Sequence, residues 1–263
     1  DGLYAVRELI GTGGMANVYK AVVVGENGPV PVGTVVAVKV LRQELMHDPD
    51  LVRRFKNESK AISLLNHPNI VKVYDVSVSE TLQYIVMEYV DGMTLREYLN
   101  ERGGKLTSRE TVHFISQILK ALDHAHRNGV VHRDIKPDNI VFVENVPKLG
   151  DIGLVSSISQ TLSLAGTQAY VPPEFLTGED KELKQSVDIY ALGKTLYRAF
   201  SGQQPDDFPV VPHKLLAHEG AKKLNALVKR ACDVRTFCRL KSIAEFRSIL
   251  HGNIGWWYDI KVF

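Results

Sequence analysis

The feature that most constrains this chain is a change of pattern near residue 91. Before it, β-branched and aromatic runs alternate with turn residues, and after it, apolar residues recur at helical spacing. The five runs lie at residues 4–10, 18–25, 34–41, 70–78 and 83–89. We therefore predict a two-lobed α+β protein. A small antiparallel β-rich lobe with one main helix would occupy residues 1–90, and a larger helical lobe would occupy residues 91–263.

Composition narrows the functional classes. The 263 residues are 44% hydrophobic and 24% charged, with a formal net charge of +2. This is enough apolar material for a large core, and the near balance of charges argues against nucleic-acid binding. No apolar run reaches the ~20 residues of a membrane span. Because the chain begins with Asp1, we interpret it as an excised cytoplasmic domain, which leaves open a membrane anchor elsewhere in a longer parent.

Capping residues mark where two main helices begin. Asp48 followed by Pro49 predicts the start of the helix in the first lobe. Thr107 and Glu110 have the spacing of a capping box, which opens a helix in the second lobe.

Apolar runs predict the core of the second lobe. Residues 186–200 are apolar on nearly every face, which indicates a central helix, and residues 224–250 indicate two amphipathic helices. Val130 and Val131 predict a short buried strand, as do residues 140–143.

A glycine-rich turn separates the first two predicted strands. It contains Gly11, Thr12, Gly13 and Gly14, and glycines let backbone N–H groups approach a polyphosphate closely. The turn alone is equally typical of an ordinary hairpin. Ala16 stands where the G-x-G-x-x-G pattern has its third glycine.

Lys39 lies on a predicted strand and faces the same side as Ala37 and Leu41. A cation in that position needs an anionic partner. Glu58 offers one, because it lies on the apolar stripe of the helix that follows. We predict a Lys39–Glu58 ion pair with a function beside the glycine turn, the alternative being a purely structural pair.

Two polar loops carry oxygen-rich side chains. Residues 132–139 have the sequence His-Arg-Asp-Ile-Lys-Pro-Asp-Asn, and Asp151 lies in a Gly-Asp-Ile-Gly segment. The carboxylate of Asp151 and the amide oxygen of Asn139 suit Mg²⁺. Asp134 is then free to accept a proton from an attacking hydroxyl.

In these motifs and their order, the sequence resembles the protein kinase superfamily, and within it the bacterial eukaryotic-like serine/threonine kinases. The ordered set is the glycine loop, the strand lysine, the helix glutamate, H-R-D-x-x-x-x-N, a D-F-G variant and Pro172-Pro173-Glu174 in place of A-P-E. It spans nearly the whole chain. The resemblance implies the protein kinase fold, with ATP bound between the lobes.

The resemblance also implies which residues contact ATP. The glycine loop would cover the phosphates. The implied adenine contacts are the backbone of Glu88 and Val90, the back-pocket residue Met87, and the ring-sandwiching Val18, Ala37 and Val141. For the three ring-sandwiching residues, core packing is the simpler alternative.

Catalytic roles follow from the same resemblance. The implied roles are phosphate binding by Lys39 with Glu58, binding of Mg²⁺ or Mn²⁺ by Asn139 and Asp151, γ-phosphate neutralisation by Lys136, hydroxyl orientation by Asp134, and support of that loop by Thr167. Lys136 and Thr167 are typical of serine/threonine kinases. The expected partners are therefore proteins with Ser or Thr acceptors, and no nucleic acid is expected.

Four further positions carry structural expectations from the family. Ile152 replaces the Phe whose packing reports the active state. Glu174 and Arg239 match an ion pair that braces the second lobe, and Asp188 matches a residue that anchors the H-R-D backbone.

Regulation is expected between residues 152 and 170, which contain hydroxyls but no Asp or Glu. Arg133 precedes Asp134, and its guanidinium needs an anion to satisfy its donors. We therefore expect a phosphate on Ser163 or Thr161 to bind Arg133 and raise activity. A second copy would add it during transient self-association. The alternative is that these hydroxyls only solvate the segment.

Two other functions are weighed against an active protein kinase. A pseudokinase scaffold would bind nucleotide without transfer, but the expected catalytic residues are all present, namely Lys39, Glu58, Asp134, Asn139 and Asp151. A small-molecule phosphotransferase would share the ATP and Mg²⁺ site, but such enzymes usually lack the segment from Gly166 to Glu174 that forms the peptide-binding floor.

Overall fold

The chain folds into a β-rich first lobe and a helical second lobe, which confirms the predicted α+β class. The structure, a computed structural model, describes residues 2–79, 82–152, 168–177 and 185–252. Five antiparallel strands form the first sheet in the order β1-β2-β3-β5-β4. They are Tyr4–Thr12 (β1), Ala16–Val23 (β2), Val35–Leu41 (β3), Val73–Val78 (β4) and Gln83–Glu88 (β5).

The first lobe has one long helix, Pro49–Ser63 (α1). Asp48 caps its first turn as predicted, because Asp48 Oδ1 accepts a hydrogen bond from Asp50 N at 2.9 Å. Phe55 and Ile62 of α1 are buried in the main core. The helix therefore covers one face of the sheet, and a separate cluster that includes Val36 and Val86 lies in the sheet as well.

The second lobe is mainly helical. Its helices are Leu95–Glu101 (α2), Ser108–Arg127 (α3), Pro173–Leu176 (α4), Gln185–Ser201 (α5), His213–Leu216 (α6), Glu219–Ala231 (α7) and Ile243–Leu250 (α8). A small sheet contains three strands in the order Met93–Thr94 (β6), Ile140–Val143 (β7) and Val146–Leu149 (β8). Within the described ranges, no helix is both long and apolar enough to cross a bilayer.

Helices α3 and α5 form the centre of this lobe. The predicted capping box is present: Thr107 accepts from Glu110 N, while the Glu110 carboxylate accepts from Thr107 N at 2.9 Å. Nearly every residue of α5 is buried, as its apolar sequence predicts. These two helices supply the rigid support for the loop between α3 and β7.

The predicted strand at Val130 and Val131 is wrong. Gly129 has a φ of 74°, and Val130 N donates to Ala125 O at 2.9 Å, which closes the end of α3. The backbone of this segment is therefore used to terminate a helix. The other predicted strand, residues 140–143, is β7.

Candidate active site

A buried carboxylate fixes the backbone of the loop at residues 132–139. Asp188 on α5 is fully buried and accepts from His132 N and Arg133 N, each at 2.8 Å. His126 of α3 lies 2.7 Å from the same carboxylate, measured from Nε2 to Oδ2. The expected anchoring role of Asp188 in the backbone geometry is confirmed. Because Asp188 lies on α5 and its partner His126 lies on α3, the loop backbone is anchored to two core helices of the second lobe.

The loop brings two other predicted site residues, Lys136 and Asn139, into contact with Asp134. Lys136 Nζ and Asn139 Nδ2 both donate to Asp134 Oδ2 at 2.8 Å, and Asn139 Nδ2 also donates to Asp134 O. The Asp134 side chain is 24% exposed, so it borders solvent. A carboxylate that is oriented on one side and open on the other can accept a hydrogen bond from an incoming hydroxyl.

The two predicted metal ligands lie at the same end of the β7–β8 ribbon. Asn139 precedes β7, Asp151 follows β8, and Gly150 N donates to Asn139 O at 2.9 Å. The Asp151 carboxylate is about half exposed, at 48%. The nearby Lys39 ammonium lowers its pKa, so it is ionised at neutral pH. This set of oxygen donors fits Mg²⁺.

Lys39 and Glu58 have different partners from those predicted. Lys39 Nζ lies 2.9 Å from Asp151 Oδ1, and Glu58 Oε1 lies 2.5 Å from Arg133 Nη1. The predicted Lys39–Glu58 ion pair is therefore wrong for this structure, in which those two described residues do not pair. Two ion pairs thus connect the lobes, Lys39 with Asp151 and Glu58 with Arg133, in place of the predicted Lys39–Glu58 pair.

The same pairing corrects the expectation for Arg133. The sequence suggested that only a phosphate could satisfy this guanidinium, because the segment from 152 to 170 lacks carboxylates. Glu58 of α1 supplies the anion instead, from outside that segment. Arg133 Nε is buried and has no hydrogen-bond partner among the described residues. The predicted phosphorylation sites Thr161 and Ser163, and also Thr167, lie outside the described residues.

The glycine turn closes a hairpin between β1 and β2. Gly13 N donates to Ala16 O at 2.9 Å, and Gly11 pairs with Val18 across the hairpin. Gly14 has open space where a Cβ would stand. Ala16 has no positive φ, so its methyl group causes no backbone strain there.

The residues predicted to surround adenine come from adjoining strands. Val18, Ala37 and Met87 lie on β2, β3 and β5, and the strand register pairs Ala37 with Met87. Val141 lies on β7 of the second lobe, and Val90 lies in the connection between the lobes. The fold therefore gathers the predicted adenine contacts from the elements on either side of that connection.

Glu88 ends β5, and its side chain is engaged within the protein. Its carboxylate oxygens accept from Lys148 Nζ at 2.8 and 2.9 Å. Lys148 lies on β8, so this ion pair bridges the two lobes beside the predicted adenine contacts. Only the backbone of Glu88 was predicted to contact ATP, and the ion pair is compatible with that role.

Two further expectations concern support of the site. Arg239 donates to both carboxylate oxygens of Glu174, through Nη1 at 2.5 Å and Nη2 at 3.1 Å, so the predicted ion pair is confirmed. The Arg239 side chain is only 2% exposed. Ile152, which replaces the usual Phe, is buried in the main core.

Sequence reasoning missed the pairing of Arg96 with Asp138. Arg96 is the second residue of α2, and its Nε and Nη2 donate to both carboxylate oxygens of Asp138 at 2.6 and 2.7 Å. A signal was present: a cation in the first turn of a helix is unfavourable unless an anion lies nearby. His126 was also missed, and its place near the end of the apolar face of α3 was the available signal.

Comparisons with known proteins show the family to which the chain is related. The family model described as protein kinase domain matches residues 4–238. The chain is 40% identical over 214 residues to the serine/threonine-protein kinase PrkC of Bacillus subtilis, covering 79% of this chain and 32% of PrkC. It is 36% identical over 273 aligned positions to PknB of Mycobacterium tuberculosis, covering 94% of this chain and 42% of PknB. The chain thus spans about a third to two fifths of these relatives.

Solved structures show a similar fold. The kinase domain of Mycobacterium tuberculosis PknI superposes with a TM-score of 0.74 at 28% sequence identity. The alignment covers 96% of each chain.

Proposed function

The chain belongs to the protein kinase family, and from this premise we propose that it transfers the γ-phosphate of ATP to Ser and Thr hydroxyls of protein substrates. One observation carries the proposal: Asp134, Lys136 and Asn139 already form a hydrogen-bonded group at the base of the cleft between the lobes. The Lys39–Asp151 contact brings the first lobe to the same place.

Phosphoryl transfer needs positioning and charge neutralisation more than covalent chemistry. Lys39 would hold the α- and β-phosphates of ATP, and Lys136 the γ-phosphate. Asp134 would accept the hydrogen bond of the acceptor hydroxyl and take its proton. Asn139 and Asp151 would hold Mg²⁺, which neutralises phosphate charge when bound. Mn²⁺ uses similar ligands.

Activation follows from the exchanged ion pairs. In this structure Arg133 pairs with Glu58. The proposed catalytic role of Glu58 requires that it pair with Lys39 instead. A phosphate carries a charge of about −2 at neutral pH and three acceptor oxygens, so it competes for a guanidinium better than one carboxylate. Phosphorylation of Thr161 or Ser163 in trans would therefore draw Arg133 from Glu58, and Glu58 could then pair with Lys39.

Transfer of label from [γ-³²P]ATP and Mg²⁺ to a generic basic protein tests the proposed activity. We expect labelled Ser and Thr, and no label with Lys39→Met. Binding of ATP without transfer would make the chain a pseudokinase, and transfer only to small amino alcohols or aminoglycosides would place it among small-molecule phosphotransferases.

Mass spectrometry after incubation with ATP and Mg²⁺ tests the proposed activation. We expect phosphate on Thr161 or Ser163, and slow transfer by the Thr161→Ala, Ser163→Ala double variant. Full activity of that variant, or phosphate only outside residues 152–170, would refute this mechanism of activation.

A further inference from the structure

An ion pair lies beside the catalytic loop on the surface of the second lobe. Arg96 Nε and Nη2 contact Asp138 Oδ1 and Oδ2 at 2.6 and 2.7 Å. The Arg96 side chain is 60% exposed and that of Asp138 is 37% exposed. A guanidinium that contacts both oxygens of a carboxylate matches the planar geometry of the carboxylate. The pair leaves little of the carboxylate's negative charge available to other cations.

Helix stability does not explain this pair. The first turn of α2 is already capped, because Thr94 accepts from Glu97 N and Glu97 accepts from Thr94 N at 2.7 Å. A cation at position 96 opposes the helix dipole at that end. Arg96 is therefore unfavourable for α2 itself, and its favourable interaction is with Asp138 in another element.

The position of Asp138 relates the pair to the acceptor. Asp138 lies in the turn Pro137–Asn139, four residues after Asp134. Four residues of chain span at most ~14 Å even when fully extended. A substrate whose hydroxyl reaches Asp134 would thus place residues within about four positions of the acceptor near Asp138.

Tyr170 marks a further boundary of this surface. It is buried in the turn Gln168–Tyr170, and burial raises the pKa of its hydroxyl, with smaller opposing contributions from the charges of Arg96 and Asp138. The pair is thus close to three elements: the catalytic loop, α2 and the segment that precedes α4. A peptide entering between these elements would meet the pair.

We propose that Arg96 is a specificity-determining residue. By occupying both oxygens of Asp138, it cancels the negative charge that would otherwise select Arg or Lys beside the acceptor. The inference rests on the proposed transfer of phosphate to proteins. The wild-type chain should therefore be nearly indifferent to a basic residue at the flanking positions that reach Asp138.

A peptide panel tests this inference. Each peptide has one Thr acceptor in neutral flanks, with a single Arg at one of the four positions before or after it. Arg96→Gln should raise kcat/KM for at least one Arg peptide roughly three- to tenfold relative to the neutral peptide, mainly through KM, because Asp138 gains a free carboxylate. Arg96→Gln combined with Asp138→Asn should lose this gain.

Arg127→Gln is the matched control. It removes another exposed arginine of the second lobe, which pairs with Asp123 at 2.9 Å, and should leave all peptide ratios unchanged. Unchanged ratios in Arg96→Gln, or an equal loss on every peptide, would overturn the inference, since an equal loss indicates a structural role. A wild-type preference above tenfold for Arg would also overturn it. Failure of the wild-type chain to phosphorylate any peptide or protein would instead refute the proposed function on which the inference rests.

Discussion

The catalytic loop and the Lys39 region are held by different kinds of contact. Asp188 fixes the loop from within one lobe, through two backbone hydrogen bonds and His126, and its side chain is fully buried. Lys39 and Glu58 depend on partners from the other lobe, and all four side chains of those two ion pairs retain some exposure, from 14% to 48%.

This difference explains why one region matches its predicted geometry and the other does not. Breaking a buried, hydrogen-bonded charge costs several kcal/mol, whereas fully exposed ion pairs contribute about 0–1 kcal/mol each, and the partly exposed interlobe pairs lie between these limits. Exchange of partners between the lobes therefore costs less than rearrangement of the loop, which would break the buried contacts of Asp188. The loop supplies a fixed half of the candidate active site, and the Lys39 region supplies a half whose ion pairs can change partners.

Removing a charge that contacts nucleotide or metal should have the largest effect. Lys39→Met removes the proposed phosphate contact and Asp151→Asn removes the proposed charged metal ligand, so we expect each to abolish phosphate transfer while the fold is retained. Transfer of radiolabel and urea unfolding measure the two properties. Lys229→Met, at an exposed position on α7, is the control and should be fully active. Measurable turnover in either site variant would show that the interlobe charges are dispensable.

Asp134→Asn should have the next largest effect. Its amide cannot take a proton, and we expect the rate to fall roughly 10²- to 10⁴-fold, the range of a positioned general base. ATP affinity should change little because the proposed role of Asp134 is toward the acceptor and not toward the nucleotide. Steady-state kinetics with a peptide, together with ATP titration, would check both. Near-normal turnover would remove Asp134 from the mechanism.

Asp188→Asn tests the fixed half directly. An Asn amide group cannot accept from His132 N, Arg133 N and His126 together, so at least one buried donor loses its partner. We expect the free energy of unfolding to fall by about 2–4 kcal/mol. Urea denaturation measures this, with Asp123→Asn at the α3 surface as the control. A loss no larger than that of the control would mean that the loop is not fixed by Asp188.

Lowering the pH should reduce the free energy of unfolding by less than the Asp188→Asn substitution does. His132 is fully buried, and burial lowers its pKa below the usual 6.5. Below pH ~6.5 the unfolded chain therefore binds a proton that the folded chain excludes. The free energy of unfolding consequently decreases as the pH is lowered. Between pH 6.5 and 5.5 this contributes at most about 1 kcal/mol. Urea denaturation at both pH values should show a smaller loss in His132→Gln, and an identical loss would contradict the role of His132.

The same contrast sets how much could be predicted from the sequence. Local signals located the strands, the cap at Asp48 and the capping box at Thr107, because each depends on residues close in the chain. The strand prediction at Val130 was wrong because the apolar character of this residue does not indicate that Gly129 ends a helix there. The Glu58–Arg133 pair joins residues 75 positions apart and depends on how the lobes meet, which no local pattern specifies.

The most direct test of the exchanged pairing is the initial rate of Arg133→Asn after treatment with a Ser/Thr phosphatase. Asn tolerates the positive φ of 72° at this position, so the backbone need not change. If Arg133 holds Glu58 away from Lys39, the dephosphorylated variant should start about two- to fivefold faster than dephosphorylated wild type, as expected from loss of a partly exposed ion pair. It should then show no further gain on incubation with ATP. An initial rate equal to or below that of wild type would contradict the proposal that this ion pair restrains the enzyme.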